Sequence, residues 1–272
     1  MCFIIHRTVD RKKRIILGSI AILVILGVTY YFISGSSEHT DDAFIEAHVI
    51  PMSPKVPGYV VELHVSDNQP VKKGDVLVTI DPRDYQLALN AAQARQENAA
   101  SDLKRKEGIS TIARSVKDLE AARALAATSQ AEFEQAEKNL ADTKILAPED
   151  GVVTRRGVEQ GAYVQPGQPL FSIVTPKRWV IANFKETQLE HMRAGQAVKV
   201  TVDAYPDITL HGKVDSIQHG TGARFSAFPP ENATGNYVKI VQRVPVKITL
   251  EDVPADIVLG PGMSVVPTVD TK

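Results

Sequence analysis

Histidine, cysteine and carboxylate side chains are the groups in this chain that could bind a metal or transfer protons. The seven histidines do not recur at metal-ligand spacings, and the single cysteine, Cys2, cannot form an intramolecular disulfide or a thiolate cluster. The glycine-rich nucleotide motifs, the nucleophile elbow and the HExxH pattern are missing from the sequence. The sequence therefore predicts no catalytic residue, no metal site and no cofactor, and we expect a protein that is not an enzyme.

The charge of the chain also argues against some partners. A formal net charge of −1 over 272 residues gives no electrostatic basis for binding nucleic acid. Many carboxylates between residues 83 and 144 alternate with lysine and arginine, as they do on solvated helix faces. These charges predict an exposed helical surface.

One segment predicts a membrane anchor. Residues 15–33 contain no charged side chain and would span roughly 28 Å as a helix, close to the thickness of a bilayer's hydrocarbon core. Basic residues 11–14 precede it and acidic residues follow it, which places residues 1–14 in the cytoplasm. The alternative is a cleaved signal peptide, but the run is long for one and lacks an A-x-A-like site. Residues 34–42 are small and polar, as expected of a linker.

Flanking the centre of the chain, a β-rich pattern occurs twice. At a constant offset of 93 residues, seven positions are identical, whereas about two matches are expected by chance. The matched pairs are Gly58/Gly151, Val60/Val153, Val65/Val158, Val71/Val164, Gly74/Gly167, Leu77/Leu170 and Ile80/Ile173. Each copy is too small to bury its own apolar face, so we expect the copies, residues 43–81 and 147–175, to close on each other.

Between the two copies, the composition is helical. Residues 83–144 contain no proline and one glycine, Gly108, which predicts a helical hairpin over residues 82–146. Apolar and small residues recur at alternating spacings of four and three, which is typical of a thin coiled-coil seam. The seam positions are Tyr85, Leu89, Ala92, Gln96, Ala99 and Leu103 in the first arm, and Leu119, Ala122, Ala126, Ser129, Phe133, Ala136 and Leu140 in the second.

The remaining residues, 176–272, again have a β pattern. Short valine-rich runs separated by turn residues predict a small antiparallel β-barrel, and residues 185–192 could form one short helix. The expected fold is therefore mainly β with an α-helical coiled-coil hairpin. It combines a single N-terminal transmembrane helix, a split barrel-sandwich module and a C-terminal antiparallel β-barrel.

The repeated unit resembles the two halves of a biotinyl/lipoyl domain. In carrier proteins of that family, the halves meet at a tight turn that bears the modified lysine. This chain has its helical segment at that junction and no lysine in a short turn there. A lipoyl-like carrier subunit of an enzyme stays an alternative, one that predicts a modified lysine near the junction.

The whole arrangement resembles the HlyD-type membrane fusion proteins, which are periplasmic adaptors of bacterial exporters, and within them the EmrA-type adaptors. The blocks that carry the resemblance are residues 40–45, 54–60, 67–75, 80–85, 184–189, 232–239 and 241–246. The resemblance implies an inner-membrane protein with its bulk in the periplasm, part of a multidrug efflux system.

Several partners follow from the resemblance. It implies a major facilitator pump in the inner membrane, an outer-membrane channel reached by the hairpin tip, and self-association into a ring. Many family members carry Arg, Leu and Ser at the tip, and the matching residues here are Arg105, Ile109 and Ser115. An adaptor for an ABC-type exporter is the second candidate within this class, and the cargo and subunit number stay open.

Overall fold

The structure is a computed structural model that describes residues 37–108, 116–225, 240–254 and 256–271. The predicted transmembrane helix, residues 15–33, and two of the predicted tip residues, Ile109 and Ser115, lie outside the described residues. Within the described part of the chain, no helix combines the length and apolar character needed to cross a bilayer.

The described residues form two long helices and a larger number of strands. The helices are α1 (Arg83–Glu107), α2 (Val116–Ala141) and the single turn α3 (Gly222–Phe225). The strands are β1 (Ser37–His39), β2 (Ala43–Met52), β3 (Gly58–Leu63), β4 (Pro70–Val71), β5 (Val76–Ile80), β6 (Lys144–Leu146), β7 (Gly151–Thr154), β8 (Tyr163–Val164), β9 (Phe171–Lys185), β10 (Ala197–Val202), β11 (Tyr205–Ile217), β12 (Arg243–Glu251) and β13 (Val265–Asp270).

Two compact units divide the chain, one of residues 47–177 and the other of the remaining described residues. In the first unit, strands β6, β5, β3 and β8 form one sheet in that order, and β4 pairs with β7, which pairs with β9. We call the strands of this unit, without α1 and α2, the duplicated module.

Equivalent backbone hydrogen bonds occur in the two halves of the duplicated module, and they run both between the halves and within each half. Adding 93 to a residue number of the first half gives the equivalent residue of the second half, and the bonds form three pairs that are related by this offset. The Val60 N–H donates to the Ala162 carbonyl (2.9 Å), and the Val153 N–H donates to the Gln69 carbonyl (3.0 Å). The Gly161 N–H donates to the Val60 carbonyl (2.8 Å), and the Asn68 N–H donates to the Val153 carbonyl (2.9 Å). The His64 N–H donates to the Leu77 carbonyl (2.9 Å), and the Gly157 N–H donates to the Leu170 carbonyl (2.7 Å). The sequence repeat is therefore a structural two-fold pseudo-repeat, as expected.

The core of the module explains why the repeat is apolar at fixed positions. Five of the seven identical pairs supply buried side chains to one cluster that neither half could enclose alone. These side chains are Val60, Val65, Val71, Leu77 and Ile80 of the first half and Val153, Val158, Val164, Leu170 and Ile173 of the second.

Helices α1 and α2 run antiparallel, and we call them the helix pair. Three side-chain contacts show that the helices are antiparallel, because residues of rising number in α1 contact residues of falling number in α2. The contacts join Arg95 to Glu132 (3.2 Å), Gln96 to Gln130 (3.0 Å) and Glu107 to Arg123 (3.3 Å). Residues 109–115, which join the two helices, lie outside the described residues.

The second unit contains an antiparallel barrel-like sheet in the order β1, β13, β10, β11, β12 and the C-terminal part of β9. β2 pairs with β9, and Phe44 bridges Ser264 just before β13, so the sheet curls on itself. Alternate residues of β10, such as Val198, Val200 and Val202, point into a single apolar core.

A polar cluster attaches the start of this unit to the sheet. The Asp42 carboxylate accepts hydrogen bonds from Arg243 (3.0 Å) and from the Asn183 side chain (3.1 Å), and Thr40 Oγ1 donates to the Asn183 carbonyl (3.0 Å). Thr40 and Asp42, which follow the predicted anchor by fewer than ten residues, are therefore fixed to the barrel.

Three local predictions from the sequence differ from the structure: a helix over residues 185–192, Pro82 as the first helical residue, and Gly108 as the left-handed glycine that follows the first helix. The helix predicted over residues 185–192 is only one 3₁₀ turn, Glu186–Gln188, after which the chain continues as turns. Helix α1 begins at Arg83, so Pro82 precedes the helix instead of occupying its first turn. Gly108 ends α1 with φ of −74°, an ordinary helical value and not the left-handed one that a glycine there favours.

Candidate partner-binding arm

The base of the helix pair is fixed to the module at its first residues. α1 starts directly after β5, and the Asp81 carboxylate accepts a hydrogen bond from the backbone N–H of Arg83 (3.1 Å) and an ion pair from its guanidinium (2.6 Å). The side-chain hydrogen bond from Arg83, followed by the backbone one, lowers the pKa of Asp81 to about 2. The charged Asp81 carboxylate thus stabilises the first turn of α1 as a hydrogen-bond acceptor, although Asp81 lies two residues before the first residue of that helix.

Two further contacts tie the helix pair to the module. The Tyr85 hydroxyl donates to the Pro57 carbonyl at 2.6 Å, and Lys55 pairs with Asp142, just beyond α2, at 3.1 Å. Burial raises the pKa of Tyr85, so its hydroxyl stays protonated and able to donate. Both helices are therefore held at the module end.

Small residues form the interface between α1 and α2. Five seam positions are fully buried, namely Ala92, Ala99, Leu119, Ala122 and Ser129, and the other predicted seam positions are partly buried. Because alanine and serine are short, the two backbones can approach closely, and the pair is a thin rod of roughly 40 Å.

One face of this rod carries an open groove. Its volume is about 750 Å³, its floor is alanine (Ala88, Ala92, Ala131 and Ala136), and the ion pair between Arg95 and Glu132 crosses it. Elsewhere on the rod, amide side chains hydrogen-bond along the helices, as Gln93 does to Glu97 (2.9 Å) and Gln130 to Glu134 (2.9 Å). The rod therefore presents chemically different surfaces to its surroundings.

Arg105 is the one predicted tip residue that the structure describes. It lies in the last turn of α1, its side chain is 76% exposed, and its guanidinium contacts the Asp102 carboxylate. Lys106 binds the same carboxylate at 2.8 Å. Exposure leaves Arg105 accessible to a partner, while the assignment of Arg105, Ile109 and Ser115 as a contact set stays a prediction.

The four glycines singled out from the repeat occupy two kinds of site. Gly74 and Gly167 have φ of +89° and +81° in equivalent turns, a conformation that other residues adopt only with strain. A Cβ atom on Gly58 would lie 2.5 Å from Ile80 Cγ2, and one on Gly151 would lie 2.5 Å from Ile173 Cγ2. The same close approach occurs in both halves because Ile80 and Ile173 are equivalent residues of the repeat.

An exposed aromatic pair near the base of the helix pair was not predicted from the sequence. The rings of Tyr59 and Tyr163 meet edge to face at 5.0 Å and are 59% and 50% exposed. At the equivalent place in the other half, Val152 lies opposite Pro70. Because the pair breaks the internal symmetry, comparing the halves position by position would have revealed it.

The chain thus contains a split β module with a helix pair at the junction of its halves, and a β-barrel unit follows it in the sequence. Two family models match: "RND MFP, barrel-sandwich hybrid domain" over residues 48–176 and "AAEA-like beta-barrel domain" over residues 178–270. The chain belongs to the HlyD-type membrane fusion protein family and is similar to its EmrA-type members.

Individual relatives agree with this assignment. The chain is 32% identical to the colistin resistance protein EmrA of Acinetobacter baumannii, over 96% of each chain. It is also 32% identical to the multidrug export protein EmrA of Escherichia coli, over 84% of this chain and 75% of the relative. A solved MacA-MexA chimera with the Pseudomonas aeruginosa MexA α-hairpin domain has the same fold, with a TM-score of 0.71 and 24% identity over 88% of this chain and 83% of that one.

Proposed function

We propose that this chain is the periplasmic adaptor of a bacterial efflux system and links an inner-membrane exporter to an outer channel. The observation that carries the proposal is the helix pair at the junction of the two module halves, where a carrier protein needs a short lysine-bearing turn. In this proposal residues 15–33 anchor the chain in the inner membrane, and the helix pair extends from the module as a docking arm.

The proposed mechanism involves no covalent chemistry. A rigid arm with its base fixed by Asp81, Tyr85 and Lys55 loses little conformational entropy when it docks, so more of the contact energy is available for assembly. Several copies related by rotation would form a closed ring around the exporter. The open groove on one face of the rod offers a surface for such side-by-side packing.

The names of the relatives favour amphipathic small molecules as cargo, since they are described as multidrug export and colistin resistance proteins. A major facilitator pump is the proposed inner-membrane partner. An ABC-type exporter is the second candidate, and the gene next to this one distinguishes them by encoding either a many-helix facilitator or an ATP-binding protein. Intact-mass measurement addresses the carrier alternative, which requires a modified lysine.

The arm's tip provides the direct test. In a knockout strain complemented with the chain, we expect Arg105→Glu and Ile109→Asp to lower drug resistance without lowering protein level, because each replaces the side chain with a carboxylate. Lys138→Glu is the matched control, since it makes the same charge change in the last turn of α2, near the base. Resistance equal to wild type in both tip variants would refute the role given to the tip.

A further inference from the structure

One surface of the barrel sheet has chemistry that the adaptor role does not use. Directly opposed residues on neighbouring strands form a row across its solvent face, in the order His39, Thr268, Lys199, His211 and Glu251. Because opposed residues share a face, and the residues between them belong to the core, all five side chains point outward.

Beside this row lies a depression of about 470 Å³, which we call the outer-face depression. It forms where Ala197, with only a methyl group, stands between longer neighbours. Its other lining side chains include Ser37, Lys199, His211, Lys213, Glu251, Thr268 and Asp270.

Hydrogen-bond donors are the free groups in this depression. Lys213 is paired with Glu251 at 2.9 Å, so these two charges offset each other, and Asp270 has an interaction of its own. Lys199 and His211 lie directly opposite each other, and the side chain of neither forms a hydrogen bond or ion pair with any residue that the structure describes. The hydroxyls of Ser37 and Thr268 are likewise available, so the site would complement a ligand rich in acceptor oxygens, such as a phosphate group.

Chain length limits where the depression can lie. Ser37 lines it, and the predicted anchor ends at residue 33, so three residues lie between them and the four Cα–Cα steps span at most about 14 Å. That reach is comparable to the roughly 10 Å over which the potential of an anionic membrane surface acts on a basic group.

We propose that the outer-face depression binds the phosphate of membrane lipid headgroups through Lys199, with Ser37 and Thr268 as additional donors. This contact holds the barrel against the membrane surface. The inference rests on the proposed membrane anchor, and an inorganic phosphate ion would offer the same chemistry, so the test must separate these sources.

Lysine acylation of the full chain, read by mass spectrometry, provides that test. The acylation rate of Lys199 is compared with that of Lys185 under three conditions. These are nanodiscs of phosphatidylcholine with phosphatidylglycerol, nanodiscs of phosphatidylcholine alone, and detergent with inorganic phosphate. We expect Lys199 to react about fivefold more slowly in the phosphatidylglycerol discs, and this protection to fall at high salt. Protection by inorganic phosphate in detergent, or equal rates in all conditions, would overturn the proposal.

A pair of variants tests the depression without altering the reporting lysine. Ala197→Glu places a carboxylate on its floor and should abolish the protection of Lys199. Thr209→Glu makes a similar change on the same face outside the depression and should retain it. Equal loss in both variants would contradict a defined site.

Carbonate extraction of membranes tests the anchor separately. Release of the chain by carbonate would refute the membrane anchor of the proposed function. Retention of the chain together with an unprotected Lys199 would refute only this inference.

Discussion

At the residue scale, positions 58 and 151 show why both copies of the repeat have glycine at the same place. At each one, the backbone lies so close to an isoleucine methyl group that a Cβ atom would be only 2.5 Å away. Gly151 is the more constrained, because its Cβ would also lie 2.6 Å from the Val174 carbonyl oxygen, which belongs to a paired strand and cannot rotate away.

The first prediction concerns this constraint. We expect Gly151→Ala to lower the free energy of unfolding by about 2–3 kcal/mol, because a tightly packed core must shift to admit the methyl group. Gly108→Ala is the control, since φ is helical there and the nearest atom would be 3.5 Å away, so it should change stability by at most about 0.5 kcal/mol. Urea titration measures both, and equal effects would refute the explanation.

A second residue-scale prediction concerns acid. The pKa of Asp81 is lowered in the folded state, so its ionised form adds stability above about pH 4, and this contribution disappears as the pH falls toward 2. Asp81→Asn should therefore reduce the loss of stability between about pH 5 and pH 2, as measured by urea titration. Arg83→Gln should have a similar effect, and an undiminished acid dependence in both variants would contradict the assignment.

At the element scale, the helix pair depends on a seam of mostly small side chains. Its buried positions are mostly alanine, so each contributes little apolar area, and the pair gains its stability from close packing and from attachment at its base. Such an arm tolerates changes on its outer faces but not at the seam.

The third prediction uses two adjacent alanines. Ala122 is 3% exposed at the seam, whereas Ala121 faces solvent. Ala122→Asp should bury an unpaired carboxylate and cost at least about 2 kcal/mol within the pair, while Ala121→Asp should cost no more than about 0.5 kcal/mol. Hydrogen exchange by mass spectrometry should show lost protection in α1 and α2 only for Ala122→Asp, with the module unchanged. Loss of protection in both variants would mean that the seam is wrongly placed.

At the scale of the whole molecule, the helix pair is an insertion into a module that closes without it. The chain leaves the module after Ile80 and returns at Thr143, and the Ile80 N–H donates to the Thr143 carbonyl at 2.8 Å. The core cluster of the module consists of residues from its strands and from the turns between them, and Tyr85 is a helical side chain packed against it.

The fourth prediction follows from this geometry. Replacing residues 81–142 with Asn-Gly, which suits a two-residue hairpin, should leave a folded module and abolish efflux. Circular dichroism and thermal unfolding of the purified protein check the fold, and drug resistance in the complemented knockout checks function. An arm-less protein that is folded, present at the wild-type level and still supports resistance would show that the arm is dispensable.

The duplication, the helical segment and the β pattern of the C-terminal unit could be predicted from the amino-acid sequence, because these features depend on local periodicity. Glycine, valine, leucine and isoleucine recur at fixed positions of the repeat, and this recurrence predicted a shared core. The alternating spacing of four and three among the alanine and leucine residues predicted the seam of the helix pair. The matched glycines also marked where the backbone must turn or approach another chain segment.

Contacts between groups far apart in the sequence became apparent only in the folded chain. The Tyr59–Tyr163 pair, the attachment of Tyr85 to Pro57, and the row of side chains around Lys199 join residues far apart in sequence. Such contacts depend on strand register, and a shift of one residue would turn each side chain to the opposite face. Local periodicity cannot fix that register, because it is set by the packing of the complete core.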